Sequence, residues 1–308
     1  MSGVTKPVCI VSHDAGGAEV LASYVAQKRL DCRLVLAGPA LKVFERRLGK
    51  VRPVPLAEGL AESGWCLLGT GWQSDLEWRA LAEAKRLGRR TVSFIDHWVN
   101  YPERFERNGV RHLPDEIWVG DEEAEGLATR HFPGVPVRLE PNPYFIDVRR
   151  EVARLEARAR RPRHARAHVL FVSENLSGFG RQRYGDERHW GYTEFDALEY
   201  LFERIGDLGV EVDAVSIRPH PSDPAGKYSQ VLAAHAPLAR LGGDRPLLEE
   251  IVAAELVAGC ESVALVSASI AGRRVLCCVP PGRKVAFIDR RPGVEMLRNL
   301  PARSTTAT

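Results

Sequence analysis

The sequence predicts an α/β protein made of two Rossmann-like domains. Two patterns predict this. Short apolar runs rich in Val, Ile and Leu alternate with helical patterns, and an Arg-rich stretch between Asp147 and Ala167 interrupts that alternation once before it resumes. In addition, several of the apolar runs end in polar or glycine-rich segments, where parallel sheets carry their sites. At 308 residues the chain is long enough for two domains of ordinary size.

In order, Pro7–Ser12 reads as a strand from its Val and Ile content, then Gly16-Gly17 and a helix from Ala18 to about Lys28. Arg33–Ala37 is the second strand. Trp65–Gly69 is the third, with a helix from about Ser74 to Leu87 behind it. Thr91–Ile95 is the fourth, and Glu116–Gly120 the fifth, leading into a helix near Asp121. Strands spaced by such helices pair in parallel through right-handed crossovers. The first domain is therefore residues 1–146, closing near Pro141-Asn142-Pro143. Residues 147–167 are expected to form an exposed Arg-rich helix and linker. In the second domain, residues 168–300, strands are expected at His168–Ser173, Val212–Ile217, Glu255–Ala258 and Arg274–Val279. Helices are expected near Thr193–Leu208, Pro224–Ala234, Pro246–Ala253 and Ser262–Ala271, and Phe179–Tyr192 reads as a long loop. Residues 301–308, small and polar, read as a flexible tail.

Composition narrows the function. Apolar residues make up 44% and charged residues 27%, as in a folded soluble protein. A net charge of +3 marks no nucleic-acid binder. The Arg-rich run from Arg149 to Arg166 reads as a solvated connection, with a peripheral membrane contact left open. No apolar stretch is long enough to span a bilayer, and the opening residues Met1–Pro7 read as no signal peptide. Cys9, Cys32, Cys66, Cys260, Cys277 and Cys278 form no CxxC pair, so free thiols and a cytoplasmic location are expected.

Two segments of the second half carry the most chemistry. Ser216-Ile217-Arg218-Pro219-His220-Pro221 ends a strand, and its two prolines hold His220 stiffly. Gly259-Cys260-Glu261-Ser262 lies between a strand and a small-residue helix. There Gly259 permits close backbone approach and Ser262 suits the N-cap, which leaves a helix N-terminus open to an anion. Ser12-His13-Asp14-Ala15-Gly16-Gly17, Gly69-Thr70-Gly71-Trp72 and Asp96-His97-Trp98-Val99-Asn100-Tyr101 line up at the carboxyl edge of the first domain. The first of these is not a dinucleotide fingerprint, because its leading glycine is absent and no acid ends the second strand. A dehydrogenase is therefore disfavoured. His13, Asp14, Asp96 and His97 make a conceivable metal cluster, but no DxD occurs and no metal is expected. His164 and His168 form the one HxxxH, read as an exposed pair.

On these motifs the second half resembles the donor domain of GT-B-fold glycosyltransferases. The likeness is to bacterial enzymes with cytidine-activated donors, namely sialyltransferases and related capsule transferases, and to CDP-glycerol glycerophosphotransferases. His220-Pro221 matches their His-Pro motif, and Ser262 falls where their Ser motif lies. Glu261 stands where those enzymes have a first serine, and Arg274 where many have a proline. The resemblance implies two domains facing across a cleft. It assigns Arg218, His220, Pro221, Gly259 and Ser262 to the donor phosphate, with Glu174 and Asn175 in the loop after the first strand, and it leaves Glu261 open to a ribose hydroxyl. It places the acceptor-activating base after the first strand of the first domain, so Asp14 or His13 is the candidate, with Asp96 in support. Gly16, Gly17, Thr70, Gly71, His97, Trp98 and Asn100 are the candidate acceptor contacts.

The expected activity is an inverting, metal-independent glycosyl transfer from a nucleotide sugar, CMP-linked by preference, to a glycan or other hydroxyl acceptor. The nucleotide sugar is substrate, and no resident cofactor is expected. A sugar-nucleotide epimerase or hydrolase and a non-catalytic partner subunit of a transferase are the alternatives.

Overall fold

A computed structural model describes residues 6–72, 74–158 and 166–302. Arg160–Arg163, His164 and the tail from 303 onward lie outside the described residues. The chain divides into two compact units, Met1–Asp147 and Val148–Thr308.

In the first unit the order is β1 (Val8–Ser12), α1 (Ala15–Lys28), β2 (Cys32–Leu36), α2 (Pro39–Leu48), α3 (Leu56–Glu62), β3 (Trp65–Leu68), α4 (Leu76–Arg86) and β4 (Arg90–Ile95). There follow α5 (Tyr101–Phe105), the two-stranded hairpin β5 (Glu106–Arg107) and β6 (Val110–Arg111), then β7 (Glu116–Val119), α6 (Glu122–His131) and β8 (Val137–Leu139). Six strands pair in parallel in the order β2-β1-β3-β4-β7-β8. All five residues of β1 are buried, as in a strand covered on both faces. Ile10, Leu21, Phe44, Leu67 and Phe94 form the centre of one core cluster. The chain leaves β1 toward β2 and returns to the other side of β1 for β3, so the topological switch point lies between β1 and β3.

The helix α7 (Pro143–Arg158) carries the chain into the second unit. There the order is β9 (Ala167–Val172), α8 (Leu176–Tyr184), α9 (Glu194–Glu203), β10 (Val212–Arg218), α10 (Ser229–Ala234), β11 (Ala239–Leu241), α11 (Leu247–Ala253), β12 (Leu256–Gly259), α12 (Val263–Ile270), β13 (Arg274–Cys277) and β14 (Val294–Met296). The sheet is again wholly parallel, ordered β11-β10-β9-β12-β13-β14. This is the doubly wound order of dinucleotide-binding sheets, with its switch point between β9 and β12.

Several elements differ from the sequence reading for physical reasons. α1 begins at Ala15, three residues early, because the Asp14 side chain caps it by accepting from Gly17 N at 3.1 Å. The two glycines thus sit inside the first turn. The stretch from Phe179 is not a loop throughout, since α8 occupies Leu176–Tyr184. Its glycines lower helix propensity, yet a side chain at Gly180 would stand 2.4 Å from the Asp186 carbonyl oxygen. β8, β11 and β14 have three residues each, too short to register as apolar runs. Among the described residues no helix is long and apolar enough to cross a membrane. All six cysteines are free, and only Cys32 is not fully buried.

Gly259 pairs with Val172 across the second switch point, and a Cβ there would lie 2.8 Å from the Val172 carbonyl oxygen. Backbone cannot yield to that contact, so Gly259→Ala is expected to cost about 1–3 kcal/mol. The urea midpoint should fall with an unchanged slope.

Candidate active site

In the first unit the loops after β1, β3 and β4 bring three carboxyl groups to the switch point. Gly17 packs tightly here, since a Cβ on it would lie 3.4 Å from Gly69 Cα and 2.8 Å from Asp14 Oδ1. Glu77, on the first turn of α4, accepts the His13 backbone N–H at 2.7 Å. A Cβ on Gly71 would meet Glu77 Oε1 at 3.2 Å and Asp14 Cγ at 3.3 Å, so these two carboxyls flank one glycine. Asp96 lies over Gly16, where a Cβ would come within 2.4 Å of Asp96 Oδ2. The other oxygen of Asp96 accepts from Arg104 Nη1 at 2.9 Å. Arg104 is itself 5% exposed and also donates to Thr70 Oγ1 at 2.7 Å and to Val99 O at 3.2 Å.

Crowding shifts the acids. Desolvation, followed by the nearby Asp96, pushes Asp14 up to about 7, with Arg104 pulling the other way. Desolvation and then Asp14 push Glu77 up to about 8, although the bond from His13 N pulls it down. Ser12 Oγ, His13 Nδ1 and Glu77 Oε2 are buried without a hydrogen-bond partner among the described residues. The ring of His13 packs over Gly38, which has φ of 54°.

In the second unit the loops after β9, β10 and β12 share the carboxyl edge. Glu174 Oε1 accepts from Glu261 N at 2.6 Å across the switch point, and burial pushes Glu174 up to about 7. His220 opens a turn closed by Asp223 N donating to His220 O at 2.9 Å, with Pro221 at its second position. Ser222 N donates to His220 Nδ1 at 3.2 Å, and Ser222 Oγ lies 2.7 Å from the same nitrogen. Burial holds the imidazole below its usual range, opposed by Asp223.

Beneath this turn lies a buried polar network. Lys227 Nζ donates to Asp223 Oδ1 at 2.6 Å, to Asn175 Oδ1 at 3.1 Å, and to Glu194. Asp223 Oδ2 accepts from His220 N at 2.8 Å and from Tyr228 OH at 3.0 Å. Glu194 accepts Ser177 Oγ at 2.6 Å and Ser177 N at 2.9 Å. The side chains of Asp223 and Glu194 are fully buried.

No protein-family model matches the chain, and no curated protein does either. Solved structures do match its architecture. The S. aureus MnaA–UDP co-structure is 12% identical with a TM-score of 0.59, covering 89% of this chain and 79% of that one. The glycotransferase of kitacinnamycin is 10% identical with a TM-score of 0.54, covering 97% and 88%. A UDP-N-acetylglucosamine 2-epimerase is 11% identical with a TM-score of 0.51, covering 89% and 78%. The fold is GT-B.

Each unit of this GT-B fold departs in places from the roles expected of its residues. Arg218 Nη1 is held by the buried Glu250 and by Arg245 O, so that nitrogen is committed within the protein. Glu261 spends Oε1 on Ala286 N at 2.6 Å and Phe287 N at 2.9 Å, pinning that loop rather than holding a ribose with this oxygen. Thr70 is 1% exposed, and its Oγ1 braces Arg104. Trp98 is buried with its indole N–H on Asp121 Oδ2 at 2.8 Å, which makes it core rather than a stacking platform. Asn100 supplies a left-handed backbone turn, with φ of 59°, ahead of α5. His97 is half-buried, and its Nδ1 accepts from Trp98 N. Ser262 caps α12 by accepting from Ala264 N at 3.2 Å. Gly16 is exposed and Gly71 buried. No group of three or more His, Cys, Asp or Glu among the described residues is placed to hold a metal ion.

The sequence reading missed Glu77, Arg104 and Lys227. Glu77 looks like an acid placed on a first helical turn for its dipole. Arg104 and Lys227 look like surface charges in polar segments. Only the spacing Asp223-x-x-x-Lys227, one helical turn, hinted at pairing.

Asp14 and Glu77 bind their protons more tightly in the folded chain than in the unfolded one. Their contribution is therefore greatest in the acid range and is lost as pH rises from ordinary carboxylate values through about 7 to 8. Glu77→Gln should leave the melting temperature nearly unchanged at pH 5 and raise it at pH 9, by about 2–4 °C for each kcal/mol relieved. In the second unit, Lys227→Met leaves two buried carboxylates without their cation. It should cost about 3–5 kcal/mol in denaturant titration.

Proposed function

We propose that the chain is a sugar-nucleotide enzyme that transfers a sugar, or a similar group, from a nucleotide donor to an acceptor hydroxyl. The observation that carries this reading is Asp14, a carboxyl held near pKa 7 at the switch point of a GT-B unit. A general base works best with a pKa near the operating pH. In this reading the Asp14 carboxylate takes the acceptor's proton as the hydroxyl oxygen attacks the anomeric carbon. The bond to the donor phosphate breaks on the opposite face, which inverts that centre. Asp96, fixed by Arg104, holds its neighbour's geometry.

The second unit serves the departing nucleotide. His220 and the N-terminus of α12 offer hydrogen-bond donors to a phosphate. One such preorganised donor is worth about 2.7–4 kcal/mol in the transition state. His220-Pro221 favours a cytidine nucleotide, and the proposed acceptor is a glycan or other hydroxyl compound. The reaction is proposed to proceed without a metal, in the cytoplasm. A second reading, epimerisation of the sugar nucleotide itself, gains from Glu77, because removing and returning a proton calls for a second acid-base group.

Thermal-shift titration with CMP, CDP, UDP and GDP tests the reading. Stabilisation by CMP or CDP above the others is expected, and no response to any nucleotide would sink it. His220→Ala should abolish that stabilisation. Asp14→Asn should keep binding and lower turnover at least a hundredfold, within the about 10²–10⁴-fold typical of a general base. Full turnover in Asp14→Asn would remove Asp14 from the role.

A further inference from the structure

A backbone N–H can only donate a hydrogen bond. Ser222 N points at His220 Nδ1 from 3.2 Å, so in the neutral ring Nδ1 is the acceptor and the proton sits on Nε2. The second contact to Nδ1, Ser222 Oγ at 2.7 Å, has its own direction fixed from behind. Asn175 Nδ2 donates to Ser222 Oγ at 2.9 Å and takes one of its two lone pairs, and because Nδ1 already accepts from Ser222 N, the hydroxyl hydrogen is directed to Nδ1. The orientation of the Asn175 amide is set in turn, because its oxygen accepts from Lys227 Nζ at 3.1 Å. An ammonium has three donors, and those of Lys227 go to Asn175, Asp223 and Glu194. Every step in this chain therefore has one polarity.

We propose that Lys227, Asn175 and Ser222 form a positioning relay that holds His220 as the neutral Nε2–H tautomer, a fixed hydrogen-bond donor to the phosphate of a bound nucleotide. This rests on the nucleotide-binding role given above to the second unit. Lys227 touches no ligand in this scheme, since its three donors are spent inside the protein. It acts through Asn175 and Ser222. The charged groups facing His220 are Asp223 and Glu194, which favour the imidazolium, and Lys227, which opposes it. Phe179 covers the ring edge-on at 5.8 Å. Burial, with Lys227 in support, keeps the ring neutral against the two carboxylates, while the relay fixes which nitrogen carries the proton.

Asn175→Asp tests the relay with almost no change of shape. The new carboxylate still accepts from Lys227 but can no longer donate to Ser222. The hydroxyl should swing to donate to Asp, leaving only the 3.2 Å contact from Ser222 N to oppose a proton on Nδ1. In the free wild-type protein, ¹⁵N NMR of the histidine rings should show His220 protonated at Nε2 at pH 7. In Asn175→Asp the Nδ1–H form or the imidazolium should gain, and nucleotide affinity should fall about tenfold or more. In a His220→Ala background the same substitution should alter affinity less than about twofold, because no tautomer is left to set. If Asn175→Asp does not fold, Ser222→Ala should give a smaller shift of the same sign. A wild-type ring protonated at Nδ1, or a spectrum unmoved by either variant, would overturn the proposal. So would an equal loss of affinity with and without His220. The NMR readout needs no ligand. A correct tautomer in a protein that binds no nucleotide would count against the proposed function and leave the relay standing.

Discussion

Each unit depends on the same constraint, a buried cation that must be shared among more carboxylates than it can neutralise. Arg104 faces Asp96 and influences Asp14, and Lys227 faces Asp223 and Glu194. Parallel strands create the need for this. Where the sheet ends, the loops behind it carry backbone and side-chain polar groups that no ladder satisfies, and these must find partners locally. Arg104 meets the need in the first unit by reaching the carbonyls of Thr70 and Val99. Lys227 meets it in the second by tying the loop after β9 to the turn after β10. The excess negative charge is left over at the edge. In the first unit it adds to burial in leaving Asp14 and Glu77 holding protons near neutral pH, and in the second burial outweighs it, so the His220 imidazole stays below its usual range.

Such clusters are costly to hold together. Taking charges out of water costs several kcal/mol per ion, and the attraction repays it only when every donor and acceptor is matched. The second unit comes close to that condition, with three donors on Asp223 and three on Glu194. The first does not, since Glu77 Oε2 and Ser12 Oγ stay buried without partners among the described residues. The two units thus divide their labour in energetic terms. One is a stiff, satisfied scaffold around an imidazole, and the other stores unsatisfied polarity beside its acids.

The sequence made the strands that form the centre of each sheet legible, because β1, β3, β9 and β12 are mostly apolar and β4 carries Val, Phe and Ile among its polar residues. It also pointed to the loops after them, and the structure brings Asp14, Asp96, Gly16, Gly17 and Gly71 together in one unit and Glu174, Asn175, His220 and Gly259 in the other. What it hid were the partners. Glu250 holds Arg218 Nη1 from 32 residues away, and Glu77 comes to His13 across 64. A charge on a polar helix face reads as solvated until the topology folds it inward. Residues whose work is done by the backbone were also misread. Asn100 turns the chain, while Gly180 and Gly178 let a helix form where composition reads as loop.

The lengths of the outer strands have a further consequence. Of the four border strands of the two six-stranded sheets, β8, β11 and β14 have three residues each, and β2 has five, carries Arg33 and is partly covered where Leu34 O accepts from Val54 N. A border that short offers little template for strand addition by another chain. The exposed Leu139 and Leu241 on two of these borders would otherwise invite it. Where the outer strands stop thus limits how much edge a second copy of the chain could extend.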